Sequence, residues 1–140
     1  MGVAPALLGV IVLTVRNRKT KENDKTMIRI LLIGQDRATA SRIGLQCLER
    51  GIGVVVAENV CEGVRALATT PVSLIVADLG CLRLGFRDQA MLFDRVAPGV
   101  GVAVTIAAET PLEARVALEL AGFQVVSAPL TADDLLKPLA

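Results

Sequence analysis

Val72-Ser73-Leu74-Ile75-Val76-Ala77-Asp78 is a short apolar run, rich in branched residues, that stops on a single carboxylate. A run of this length without polar alternation reads as a strand covered on both faces, which is the pattern of a parallel sheet. Residues 28–33, 53–57, 100–106 and 123–127 read the same way. The segments between them carry helical periodicity instead. Ala40, Ile43, Gly44, Cys47 and Leu48 recur at three- and four-residue steps and give the apolar face of a helix that ends at Gly51. Asn59 followed by Glu62 is a capping box, and Val60, Val64 and Leu67 mark the face of a second helix. Phe86, Ala90, Phe93 and Ala97 mark a third helix, closed by Pro98-Gly99. Thr110, Pro111 and Glu113 read as cap, first-turn proline and returning carboxylate of a fourth, with Ala114, Ala117, Leu118 and Ala121 facing inward. Thr131 caps a short last helix that includes Asp133 and Asp134.

The pattern is (βα) repeated five times, which predicts an α/β fold with a doubly wound parallel five-stranded sheet. Right-handed crossovers then bring the loops after the strands to one edge, where such sheets bind their ligands. The residues expected there are Gly34, Gln35 and Asp36, then Asp78, then Ala107 and Ala108, then Ala128 and Pro129.

Composition narrows the chemistry. The chain has 140 residues, long enough for one domain with a real core, and 53% of them are hydrophobic. Aromatics make up 2%, with no Trp or Tyr, which leaves no stacking platform for single-stranded nucleic acid. Net charge is +1, so no long-range field favours DNA, RNA or an acidic substrate. The absence of histidine removes imidazole bases, Ser-His and Cys-His pairs and most zinc sites. Cys47 and Cys61 read as small core hydrophobes and Cys81 as a loop thiol, and the odd count argues for reduced, cytoplasmic surroundings.

Residues 1–26 differ from the rest. An apolar stretch at 3–15 precedes the basic cluster Arg16 to Lys25. Thirteen helical residues span only ~20 Å against a hydrocarbon layer of ~30 Å. This segment reads as a disordered leader before Met27, or as an anchor with a cytoplasmic basic flank, and residues 27–140 as the domain. No membrane role is expected unless the leader is a real anchor.

The layout resembles the receiver domain of two-component response regulators. The resemblance is carried by Ile30-Leu31-Leu32-Ile33 before a polar turn, by Val76-Ala77-Asp78-Leu79, and by a residue followed by Pro129. It implies a flavodoxin-like fold with strand order 2-1-3-4-5. It also implies that Asp78 matches the phosphoacceptor, while the other family positions are altered. The two metal-holding acids fall on Gly34 and Gln35, with Asp36 one place late. The hydroxyl residue falls on Ala107, the switch aromatic near Val125, and the lysine before proline on Ala128. Magnesium is therefore not expected, or only weakly at Asp78 and Asp36. A phosphoryl group would bring roughly 1.5 to 2 negative charges to Asp78 with nothing fixed to neutralise them.

These readings favour a degenerate, pseudo-receiver-like signalling domain. It is expected to act by protein–protein interaction, without enzymatic activity, cofactor or phosphorylation switch. The alternatives are a receiver that accepts phosphate on Asp78 and a small flavodoxin-like ligand-binding module. The charges Glu109, Glu113, Arg115 and Glu119 on the fourth helix read most simply as a solvated face, and the resemblance offers Glu113, Arg115 and Glu119, on the helix that receivers use for docking, as the alternative partner face. The short last helix, interrupted at Pro138, adds an expectation of self-association, including a homodimer.

Overall fold

The computed structural model describes residues 11–12 and 28–137. Five strands and five helices alternate as expected: β2 (Arg29–Ile33), α1 (Arg37–Glu49), β3 (Gly53–Ala57), α2 (Val60–Leu67), β4 (Leu74–Asp78), α3 (Phe86–Val96), β5 (Gly101–Ile106), α4 (Leu112–Leu120), β6 (Gln124–Ser127) and α5 (Ala132–Leu136). A two-residue strand, β1 (Ile11–Val12), precedes them and pairs antiparallel with Val55 and Val56 at the β3 edge. The sheet order is β1-β3-β2-β4-β5-β6. Leaving β1 aside, every pairing is parallel, and the five strands counted along the chain stand in the order 2-1-3-4-5. The rest of the 1–26 leader and Pro138 lie outside the described residues.

Burial on both faces explains the continuous apolar runs. Leu31, Ile33, Val55, Ile75, Val102 and Val104 point to one face and pack with Phe93 of α3 and Leu118 of α4. Ile30, Leu32, Val54, Leu74 and Val76 point to the other and pack with Ile43 and Cys47 of α1 and Leu135 of α5. Helix α2 lies on the first face, where Gly63 makes the closest approach. A Cβ added there would stand 2.5 Å from Ile33 Cδ1.

Helix α5 is short, and polar groups of α1 hold its entry. Gln46 Oε1 accepts from the Ala132 N–H at 2.9 Å, Arg42 donates to the Leu130 carbonyl, and Arg50 pairs with Asp133 at 2.8 Å. Arg42 and Gln46 lie on α1 and Arg50 is its C-cap; at four-residue steps the three share one side of the helix.

Three local expectations differ from the structure. Cys61 is exposed rather than in the core, because the buried side of α2 runs through Val60, Gly63 and Leu67, and residue 61 falls off that line. Helix α4 begins one residue late: Pro111, not Thr110, occupies its cap position and no side chain bonds the free amides. Ala117 is exposed, so the inward side of α4 is narrow and rests on Ala114, Leu118 and Ala121. Among the described residues no helix is long and apolar enough to cross a membrane.

Candidate functional site at the strand ends

Asp78 is the last residue of β4, and parallel pairing places it directly beside Thr105 of β5. Both carboxylate oxygens are engaged. Thr105 Oγ1 donates to Oδ1 at 3.0 Å, and the Gly80 backbone N–H donates to Oδ2 at 2.9 Å. The second bond caps the short 3₁₀ turn Leu79–Cys81. Gln35 Nε2 donates to Thr105 Oγ1 at 3.1 Å, so a relay runs from the β2 loop through the hydroxyl to the acid. The site thus keeps a hydroxyl, contrary to the sequence expectation. It comes from Thr105 inside β5, whereas Ala107 lies two residues further on and is exposed.

The expected metal-holding positions are put to other uses. Gly34 turns the chain with φ +76°, and its amide donates to the Ala57 carbonyl at 3.0 Å. Cys81 sits against it: a Cβ built on Gly34 would lie 2.9 Å from Cys81 Cβ and 3.0 Å from its Sγ. The Cys81 thiol approaches the Ile33 carbonyl at 3.9 Å. Burial pushes that thiol's pKa up, and the nearby negative charge of Asp78 adds to the effect. The space where a side chain from position 34 would reach Asp78 therefore holds a neutral thiol. Gln35 presents its amide hydrogens to Thr105. Asp36 is the N-cap of α1, accepting from the Thr39 N–H at 2.7 Å and the Thr39 hydroxyl at 3.1 Å. Those two donors lower its pKa. A depressed carboxylate of this kind stabilises the fold at neutral pH, and its contribution fades as pH falls through the lowered value.

A magnesium ion wants several hard oxygen ligands in near-octahedral array. Here the first position has no side chain, the second faces Thr105 with its donors, and the third caps a helix. Among the described residues no three His, Cys, Asp or Glu side chains gather as a metal site. The donor set does not fit the ion.

A cavity of about 450 Å³ opens beside the acid, lined by Asp78, Cys81, Glu58, Cys61 and Arg83 among others. Arg83 brings a positive charge to this hollow that sequence reasoning did not place there. It makes no ion pair with Asp78, since Arg50–Asp133 is the one salt bridge among the described residues. Ala128 is exposed after β6, with a cis bond to Pro129, and Val125 is half-buried on β6 against the core. Glu113 and Glu119 are exposed on α4 and Arg115 is half-buried.

No family model matches the chain. It is 30% identical over 109 residues to the transcriptional regulatory protein GlrR of Escherichia coli K12, a match that covers 76% of this chain. The chain spans about a quarter of the length of the curated relatives it matches, 24% in each case. Among solved structures it is similar to a CheY-like response regulator receiver domain from Methanospirillum hungatei (TM-score 0.67, 20% identity, 81% of this chain and 90% of that one). It is also similar to a response regulator from Burkholderia pseudomallei solved with a phosphorylated aspartic acid (TM-score 0.68, 17% identity, 81% of this chain and 66% of that one). The strand order, the pairing register and these likenesses agree: the chain has the receiver fold of response regulators.

Proposed function

We propose that this domain is a signalling module that acts by binding a protein, and that Asp78 serves it as a structural residue rather than as a phosphorylation switch. The observation that carries this reading is the state of Asp78, whose two oxygens are both bonded by neutral donors of the fold itself. A phosphoryl group would displace one of those bonds. It would also add roughly 1.5 to 2 negative charges where position 128 supplies an alanine and position 34 no side chain. No enzymatic step and no bound cation enters this reading. The three free thiols suit reduced, cytoplasmic surroundings.

A second reading has its own support. The Thr105 hydroxyl lies beside Asp78, Arg83 lines the same cavity, and the Burkholderia response regulator carries a phosphorylated aspartic acid. On that reading Asp78 accepts phosphate with Arg83 as its counter-charge. A third, weaker reading takes the 450 Å³ cavity as a small-ligand site.

Incubation of the chain with acetyl phosphate and magnesium, read by intact mass, separates the first two. The expected result is no adduct above that of an Asp78→Asn control. A phosphoryl adduct that disappears in the control would establish the second reading instead.

A further inference from the structure

The sheet has one edge that its own residues do nothing to protect. β3 reads Gly53-Val54-Val55-Val56-Ala57, with no charge and no proline, and a bare edge of that composition is a template for an extended chain. Which of its backbone groups are open follows from the bonds on its inner side. The Gly53 N–H donates to the Ile28 carbonyl at 2.9 Å, and the Ala57 carbonyl accepts from the Gly34 N–H at 3.0 Å. The N–H and C=O of one strand residue point the same way, and the direction alternates along the strand. Gly53, Val55 and Ala57 therefore turn these groups toward β2, and Val54 and Val56 turn theirs outward.

That outer side is taken by Ile11–Val12, antiparallel, with Ile11 opposite Val56 and Val12 opposite Val55. The alternation fixes what each backbone does. Ile11 meets the outward groups of Val56 and is the residue that exchanges hydrogen bonds with it. Val12 stands opposite an inward-turned residue, so its own N–H points away from β3. Val10-Ile11-Val12 is a run of three β-branched residues, the type that suits a strand.

We propose that the β3 edge is a strand-accepting surface and that this chain's own Ile11–Val12 occupies it, closing the sheet against strand addition from another chain. The segment that fits is extended, apolar and β-branched, runs antiparallel to β3, and bonds it at Val56. The opposite edge is blunted differently, since β6 has four residues and ends on Gln124 and Ser127. Edge cover of this kind is independent of whether Asp78 accepts phosphate.

Amide hydrogen exchange on the full chain, with sedimentation velocity beside it, tests this. In the wild type the Val56 N–H is protected. Ile11→Pro removes the N–H that bonds the Val56 carbonyl and puts a ring in its place, so the pair separates and exchange at Val56 speeds up by about tenfold. Val12→Pro, whose missing N–H faces away, leaves Val56 close to wild type. Val55, bonded to β2, keeps its protection in every variant and shows that the sheet stays folded. An opened edge gathers further strands, so Ile11→Pro forms larger species at concentrations about tenfold below those at which wild type and Val12→Pro do. Free exchange at Val56 in the wild type overturns the proposal. So do two proline variants that behave alike, or an Ile11→Pro chain that associates no more than wild type.

Discussion

Phe93→Ala is expected to lower the unfolding free energy by about 3–5 kcal/mol, the range for removing a fully buried aromatic ring. Phe93 is 1% exposed and anchors α3 to the sheet in a cluster with Val102, Val104 and Leu118. It is one of three aromatic residues in the chain. The cluster around it is mostly Val, Leu, Ile and Ala, with Phe86 and Phe123 as its other rings, and short branched side chains cannot swing in to fill the space of a phenyl ring. The void therefore persists, and the cavity adds its cost to the lost transfer energy. Domains of this size have about 5–15 kcal/mol in hand, so the variant is left marginal. Urea unfolding is the direct measurement: the midpoint falls while the slope is unchanged, since both states keep their exposed surface. A loss below about 1 kcal/mol would mean that α3 does not seat on β5 as described.

Gly34→Asp restores an acid at a position where receivers carry one, and it is expected to destabilise the protein rather than repair it. The backbone at Gly34 has φ +76°, which costs a residue with a Cβ about 1–2 kcal/mol. The new Cβ would also meet Cys81 Cβ at 2.9 Å. Overpacking of that kind costs about 1–3 kcal/mol. The expected total is about 2–5 kcal/mol, by summing these two effects. The Cys81→Gly background separates them. With the thiol and its Cβ gone, Gly34→Asp should retain only the backbone cost, and the difference between backgrounds measures the coupling of the two positions. A single variant as stable as wild type would show that the Cys81 loop is free to retreat.

The sheet was readable in the sequence for a physical reason. Strands buried on both faces leave unbroken apolar runs, and intervening helices leave a three-to-four-residue period, so each of the five parallel strands was located to within two residues at its ends. Asp78 was legible too, as the one carboxylate that ends such a run. The rest of the site was less so. Matching positions to the family layout led to Ala107, but the register of β4 against β5 is what decides which residue faces Asp78, and it selects Thr105. A signal was present: Thr105 is the single polar side chain within the run Val102-Ala103-Val104-Thr105-Ile106. Cys61 was read by its chemistry, as a small hydrophobe, rather than by its phase on α2, and the phase turns it outward. Cys81 and Arg83 lie in a loop without periodicity, and no pattern in the chain tells that one packs on Gly34 or that the other lines the cavity beside Asp78.

On the proposed reading the receiver architecture is present while the strand-end acid is held by its own neighbours and recruits neither a cation nor a phosphoryl group. Amide NMR with added magnesium and beryllofluoride reads that most directly, through the N–H of Gly80 and Thr105 at the site and those of α4 and β6 beyond it. The expected result is no saturable shift at Gly80 or Thr105 with either reagent. Saturable shifts at Gly80 and Thr105 that spread into α4 and β6 would contradict it.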